Sequence, residues 1–242
     1  MTSSSTEPKQ VFTRLQQPDQ LADWLLQRAI AATGRFAICL SGGTTPRRLY
    51  EQLATPRISN IFPWQRTHLF WGDERFVPHD DALSNYRMVH EALLSKIPIP
   101  APHIHPIPTA GLSPDAAAAA YEHELKSFYG ADQLDPARPL FDVTFLGLGE
   151  DGHTASLFPG TAVLTERNRW AAAVIGAKAE PRITLTYPTL ESSRHAAFLI
   201  QGQDKHEMFN RLRAQDQTIP AGRLIPTGQL HIFADDAAAG DI

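Results

Sequence analysis

Short runs of apolar residues alternate along the chain with longer stretches in which apolar and polar residues recur at helical spacing. The short runs predict strands, because a few consecutive apolar residues bounded by glycine or polar residues are typical of a buried parallel sheet. The strands predicted in this way lie at 11–12, 36–40, 67–74, 140–149, 182–188, 195–202 and 230–235.

The stretches between these runs predict helices. Leu21, Leu25 and Ala29 form one face of the first helix, which we expect to run from Pro18 to Ala32 and to stop before Gly34. Four other helices are predicted. One begins at Pro46, one spans 84–97 with Ser84 or Asn85 as its N-cap, one spans 114–129 after the N-cap Ser113, and one spans 204–213.

This alternation of strands and helices predicts an α/β fold, with a mainly parallel, open, Rossmann-like sheet between two layers of helices. The proline-rich stretch 98–108 has the composition of a linker, but the amphipathic helices on both sides of it need a common core. We therefore expect residues 1–242 to form a single domain.

Composition narrows the class of protein. With 43% hydrophobic and 20% charged residues, the chain is an ordinary globular sequence, and its formal net charge of -4 argues against nucleic-acid binding. The single cysteine, Cys39, lies in an apolar run and is predicted to be a core residue in a reducing compartment. The N-terminus is polar and no apolar run approaches the roughly 20 residues that span a bilayer, so we expect a cytoplasmic protein without membrane contact.

Polar or glycine-rich segments follow four of the predicted strands. Ligands of open α/β sheets bind outside the carboxyl ends of the strands. We therefore expect these segments to meet at one edge of the sheet; they are 41–44, 72–75, 147–160 and 201–205.

The first of these segments, Ser41-Gly42-Gly43-Thr44, leads into a helix with Pro46 in its first turn. Backbone N–H groups at a helix N-terminus, together with nearby hydroxyls, form a site for an anion. The segment lacks the dinucleotide fingerprint and the lysine of the P-loop, so it favours a phosphate monoester over a nucleotide. A plain strand-to-helix turn is an equally good account of these residues alone.

Asp151-Gly152-His153 lies just beyond a predicted buried strand, where a side chain can point into a cleft. His153 is the natural general base, because an imidazole is neutral near pH 7 and can accept a proton. Asp151 or Glu150 could fix its tautomer. Ser156 as a nucleophile is a weaker alternative, since the G-x-S-x-G motif is absent, and a purely structural loop histidine is another.

Asp73 and Arg75 lie together at the end of the predicted strand 67–74. An arginine in this place can bind a carboxylate or phosphate, or stabilise an oxyanion. A structural ion pair between the two residues is the alternative.

The ten histidines raise the question of a metal site. His103 and His105 lie among prolines without a carboxylate close in sequence, and His79 lies next to two aspartates in a solvated turn. We therefore expect neither a catalytic metal nor another cofactor.

Taken together, these segments resemble the sequence blocks of 6-phosphogluconolactonases. The resemblance extends from about Ala37 to Arg223, and its most specific runs are SNYRM and GEDGHTASLFP. The other matching blocks are LSGGTTP, WGDERFVP, IHPIP, FDVTFLGLG and RITLTYPTLESSRHAAFLIQGQDK. It implies hydrolysis of 6-phospho-D-glucono-1,5-lactone to 6-phosphogluconate in the oxidative pentose phosphate pathway, without a metal.

The resemblance also implies roles for individual residues. His153 would activate water with Asp151 beside it, and Asp73 and Arg75 would belong to the same site, although Arg75 could contact either the lactone or the phosphate. The residues implied to bind the 6-phosphate are Ser41, Gly42, Gly43, Thr44, Arg182 and Lys205.

Two other functions occur on the same scaffold. Glucosamine-6-phosphate deaminases have related blocks that differ after Asp-Gly-His, and there Asp73 would remove a proton from C2. A non-catalytic sugar-phosphate sensor fits less well, because a sensor would not need Asp151-Gly152-His153. We expect a small phosphorylated sugar lactone as the binding partner, and a monomer or small homo-oligomer.

Overall fold

The computed structural model describes residues 10–16 and 19–240. Its strands are β1 (Gln10–Arg14), β2 (Phe36–Leu40), β3 (Thr67–Trp71), β4 (Asp73–Arg75), β5 (Ile104–His105), β6 (Phe141–Leu146), β7 (Ala171–Val174), β8 (Arg182–Leu185), β9 (Ser193–Ile200) and β10 (Gln229–Ala234). Its helices are α1 (Gln20–Ala31), α2 (Thr44–Leu53), α3 (Pro56–Ser59), α4 (Asn85–Ala92), α5 (Pro114–Tyr129), α6 (Tyr187–Glu191), α7 (His206–Arg213) and α8 (Asp236–Ala239).

Among the described residues, the main sheet has seven strands in the order β1-β10-β9-β6-β2-β3-β5, and neighbouring strands in it are parallel. From β2 the chain builds outward through β3 to β5, and it then returns to the other side of β2 for β6, β9 and β10. The direction of winding therefore reverses between β2 and β6, which is the place where open α/β sheets bind ligands. The predicted mainly parallel α/β fold is confirmed.

Helices cover both faces of this sheet. Trp24 of α1 packs against Phe145 of β6, with 6.5 Å between ring centres, and Phe128 of α5 packs against Phe70 of β3 at 4.8 Å. Phe70 and Thr144 both pair with Cys39 of β2, so their side chains point to the same face of the sheet. Phe145 follows Thr144 and therefore points to the opposite face. Phe70 and Phe145 thus mark the two faces, each with its own helix layer.

The central strand β2 is buried along its whole length. Cys39 lies in its interior, and burial raises the pKa of the thiol, so the predicted core role of this cysteine is confirmed. Among the described residues, no helix has the length and apolar character needed to cross a membrane.

A second, smaller sheet was not predicted. It has the order β4-β8-β7 and is antiparallel. The predicted strand 67–74 breaks at Gly72, whose N–H donates to Leu40 O in the main sheet at 2.9 Å and whose carbonyl accepts from Leu185 N of β8 at 2.8 Å. Gly72 therefore joins the two sheets, and the chain leaves the main sheet there.

Several helix boundaries also differ from the predictions. The predicted helix 84–97 ends at Ala92, because Leu93 takes φ -134° and ψ -63° and a 3-10 turn follows. Its cap is Ser84, whose Oγ accepts from Arg87 N at 3.2 Å. Pro18, the predicted start of α1, lies outside the described residues.

Candidate active site

A cavity of about 390 Å³ lies at the carboxyl edge of the main sheet, beside the reversal between β2 and β6. Its walls come from the segments that follow β2, β6 and β9 and from the small sheet. The structure brings the strand-end segments together, as expected. Nine of the ten predicted site residues line the cavity, and the tenth, Asp151, contacts one of them; the nine are Ser41, Gly42, Gly43, Thr44, Asp73, Arg75, His153, Arg182 and Lys205.

Two glycines and a tyrosine shape the loop between β2 and α2. Gly43 has φ +106°, a conformation that favours glycine, and Gly42 is needed for space because a Cβ there would overlap Asn85 Oδ1. The buried Tyr50 hydroxyl accepts from Ser41 N at 3.0 Å and donates to Ser41 O at 2.8 Å. The first N–H groups of a helix have no intrahelical acceptor, so this fixed loop offers those of α2 to an anion.

His153 and Asp151 form a pair in the segment after β6. The Nδ1 atom of His153 contacts Asp151 Oδ1, and the backbone N–H of His153 donates to the same oxygen at 3.1 Å. Partial burial acts to raise the pKa of Asp151, but the hydrogen bonds from His153 outweigh it and lower this pKa. An ionised Asp151 bound at Nδ1 leaves Nε2 of a neutral His153 to accept a proton.

The backbone around this pair leaves room for the imidazole ring. A Cβ at Gly149 would overlap the ring of His153, and Gly152 has φ +77° and lies close to Ile219. The Phe158 ring packs on His153 with 4.7 Å between ring centres. The imidazole is therefore placed between the Gly149 backbone and an aromatic ring.

Positive charge dominates the cavity. Among the described lining residues, the cations are Arg75, Lys178, Arg182 and Lys205, and the carboxylate is Asp73. Arg75 and Arg182 are paired in the β4–β8 ladder, and burial together with the charge of Arg75 lowers the pKa of Arg182. This excess of positive charge suits a ligand with at least two negative charges.

Glu150 takes a different place from the one considered for it. Its Oε1 lies 3.6 Å from Lys205 Nζ, which also lies 3.3 Å from Asp204 Oδ2. Asp151 is thus the carboxylate that contacts His153, whereas Glu150 is beside a cation of the cavity.

Asp73 is nearly buried and is held by hydrogen bonds to both carboxylate oxygens. Ser156 Oγ donates to Oδ2 at 2.7 Å, and Asn85 Nδ2 lies 3.4 Å from Oδ1. The ion pairs among the described residues do not include Asp73 with Arg75, whose Nη1 donates to Leu83 O at 2.7 Å. The alternative of a structural Asp73–Arg75 pair is therefore wrong, and the buried Ser156 hydroxyl is committed to Asp73.

The polar residues of the cavity wall include Asn85, Lys178 and Gln201, which were not assigned to the site from the sequence. Asn85 was considered only as a helix cap. The sequence carried one signal for it: Ser84 and Asn85 both favour the N-cap position of α4, and only one of them can occupy it, which leaves the other for a different role. Lys178 lies in an irregular loop between β7 and β8, where the sequence pattern carries no such signal.

Two of the histidines considered as metal ligands, His103 and His105, pack with His68 at the edge of the main sheet. His105 Nδ1 lies 2.6 Å from Glu124 Oε1 and its Nε2 lies 3.0 Å from His68 Nδ1, while the ring centres of His103 and His68 are 4.0 Å apart. The third, His79, lies apart from them, with its Nε2 2.8 Å from Ile107 O. Within residues 10–16 and 19–240, no group of three or more His, Cys, Asp or Glu has a geometry that could hold a metal ion.

Comparison with known proteins places the chain in a family. Residues 15–232 match the family described as glucosamine-6-phosphate isomerases/6-phosphogluconolactonase. A 6-phosphogluconolactonase of Synechocystis sp. is 42% identical over 221 residues, covering 89% of this chain and 88% of that relative. The crystal structure of 6-phosphogluconolactonase from Thermotoga maritima has a TM-score of 0.80 at 29% identity, covering 94% of this chain and 100% of that one. A monomeric glucosamine-6-phosphate deaminase shares the fold, with a TM-score of 0.78 at 20% identity, covering 96% of this chain and 98% of that one. The chain belongs to the family of glucosamine-6-phosphate isomerases and 6-phosphogluconolactonases.

Proposed function

We propose that the protein hydrolyses 6-phospho-D-glucono-1,5-lactone to 6-phospho-D-gluconate, a step of the oxidative pentose phosphate pathway, with His153 as the general base. The observation that carries the proposal is the His153–Asp151 pair on the wall of a cavity rich in positive charge. The relatives named as 6-phosphogluconolactonases support the same substrate.

The 6-phosphate is assigned to the loop 41–44 together with Arg182 and Lys205. The loop offers helix N-terminal N–H groups and the hydroxyls of Ser41 and Thr44, and the two side chains supply compensating charge in the same cavity. Arg75, which lies opposite Arg182 in the ladder, adds to the positive field at that anion.

The reaction needs a base and a stabilised oxyanion. Nε2 of His153 takes a proton from water, and the resulting hydroxide attacks C1 of the lactone, so that a negative charge forms on the carbonyl oxygen. When this tetrahedral intermediate collapses, the bond between C1 and the ring oxygen breaks, and the imidazolium returns its proton to the departing ring oxygen. The product carboxyl group then ionises. No covalent enzyme intermediate is required.

We assign the oxyanion to Lys178. Its Nζ lies 5.0 Å from the centre of the Phe158 ring, the same ring that packs on His153, so the cation and the base both lie next to Phe158. A cation fixed near the position where negative charge develops stabilises the transition state more than the ground state.

Replacing His153 with alanine tests the proposal. We expect turnover to fall by roughly a hundredfold or more, because general-base catalysis contributes about that much. The circular dichroism spectrum and melting temperature should be unchanged, since His153 lies on a loop. The assay follows proton release from freshly prepared lactone, with spontaneous hydrolysis subtracted.

His123→Ala is the matched control, because His123 is exposed on α5 and does not line the cavity. It should keep wild-type turnover. A folded His153→Ala protein with wild-type turnover would remove His153 from the mechanism, and a wild-type protein that does not accelerate lactone hydrolysis would overturn the proposed function.

A further inference from the structure

Asn85 joins two walls of the cavity. It is the first residue of α4, and it is 3% exposed. Its Nδ2 donates to Asp73 O at 2.9 Å and lies 3.4 Å from Asp73 Oδ1, while its Oδ1 occupies the space where Gly42 would carry a side chain. One amide group therefore lies between Asp73 and the loop that we assign to the phosphate.

The orientation of this amide follows from its neighbours. Both atoms that it meets on Asp73 are acceptors, so the NH₂ group of Asn85 must face Asp73. The carbonyl oxygen of the amide then faces the loop at Gly42. The side chain cannot be flipped without placing two acceptors against each other.

A buried carboxylate fixes the start of α4. Glu74, which follows Asp73 in β4, is 1% exposed, and its oxygens accept from Asn85 N at 2.7 Å and Tyr86 N at 2.8 Å. The hydroxyl of Ser84 donates to the same carboxylate at 3.1 Å. The backbone of Asn85 is thus tied to β4, so its side chain has a defined position relative to Asp73.

We infer that Asn85 is a positioning residue that sets the spacing between the phosphate loop and Asp73. The inference rests on the proposed function, in which the loop holds the 6-phosphate and the remainder of the sugar extends along the cavity toward His153. Asp73, with both oxygens already oriented, accepts from a sugar hydroxyl between these two ends. Because a displacement of about 1 Å can reduce catalysis by about a hundredfold, this spacing decides whether C1 meets the activated water.

Asn85→Ala should lower kcat by about tenfold to a hundredfold, with KM changed by less than about threefold. The phosphate contacts that dominate binding remain, but the bound lactone loses its alignment. Asn85→Asp keeps the shape and removes the NH₂ donor, and it should show the same loss of kcat. This second variant also supplies the readout if the alanine variant does not fold.

The contact between Asn85 and Gly42 allows a test by double substitution. Gly42→Ala should by itself reduce kcat, because the added methyl group displaces the amide. In the Asn85→Ala background the same substitution should cost less than about twofold, since the overlapping group is absent. Fully additive losses would overturn the inference.

Val89→Ala is the control for a general weakening of α4. Val89 is buried on the same helix and does not line the cavity, so its truncation should lower the melting temperature while kcat stays at the wild-type value. If Val89→Ala lowers kcat as much as Asn85→Ala, the role of Asn85 is structural and the inference is wrong.

The outcome also separates this inference from the proposed function. If the wild-type protein hydrolyses the lactone and His153→Ala is impaired, but folded Asn85 variants keep wild-type kcat, only the inference about Asn85 fails. If the wild-type protein does not hydrolyse the lactone, both fail together.

Discussion

Asp151→Asn removes one negative charge beside His153 and keeps the shape of the side chain. The carboxylate stabilises the imidazolium that forms when His153 takes a proton from water. A hydrogen bond to a charged group contributes about 1.5–3 kcal/mol. The side chain of Asp151 is 42% exposed, so solvent screens the charge and the lower value applies. About 1.5 kcal/mol corresponds to a loss of about tenfold in kcat.

The assay is the rate of lactone hydrolysis as a function of substrate concentration and pH. KM should be unchanged, because Asp151 does not line the cavity. The acid side of the pH–rate profile should move to lower pH, since the imidazolium loses a neighbouring negative charge. Glu150→Gln is the matched control, because Glu150 precedes Asp151 but faces Lys205, and its kcat should stay at the wild-type value.

Two results would refute this reasoning. A kcat within about twofold of wild type would show that the carboxylate does not support the base. A loss of kcat as large as that of His153→Ala would show that Asp151 does more than stabilise the imidazolium through a screened charge. A loss of that size is what a buried aspartate would produce.

Three further outcomes are expected. Arg182→Ala and Lys205→Ala should each raise KM by about tenfold to a hundredfold in steady-state kinetics, since a charge-assisted contact contributes about 1.5–3 kcal/mol; an unchanged KM would remove that residue from phosphate binding. Turnover in deuterated water should place no deuterium at C2 of the product, and glucosamine 6-phosphate should release no ammonia, because lactone hydrolysis changes only C1; either signal at a comparable rate would favour the isomerase reaction. Burial lowers the pKa of both His195 and His231 to about 4 from 6.5, so the unfolded chain binds protons more readily than the folded protein below pH 6.5. The free energy of unfolding measured with urea should therefore fall as the pH is lowered from 6.5 to 4 and remain level above pH 6.5. A His195→Phe variant should show a shallower fall.

The parts of the fold that follow from local pattern were predictable. β2 is a continuous apolar run, β6 and β9 end on apolar residues, and the segment after each of these strands begins with a glycine or a polar residue. Parallel strands place such segments at one edge, and the cavity lies there. The helix 114–129 has Ser113 before it and Gly130 after it, with φ +78° at the glycine, and both boundaries were correct.

The small sheet depends on contacts that no local pattern records. β4 follows β3 after one residue, Gly72, so the sequence reads as a single strand. β7 is Ala-Ala-Ala-Val, with one β-branched residue, Val174, and no aromatic residue, so its strand signal is weak. The roles of Asn85 and Ser156 likewise arise from partners far away in the sequence, at Gly42 and Asp73.

The junction at Gly72 divides the site into two parts with separate structural supports. The parallel sheet supplies the phosphate loop and His153, whereas the antiparallel sheet supplies Asp73, Arg75 and Arg182. Substitutions on the small sheet can alter the groups that meet the sugar without changing the strand order on which the loop and the base depend. Because Arg182 of the small sheet is also assigned to the 6-phosphate, the proposed phosphate site spans both sheets, and a change at Gly72 would shift the two halves of that site relative to each other.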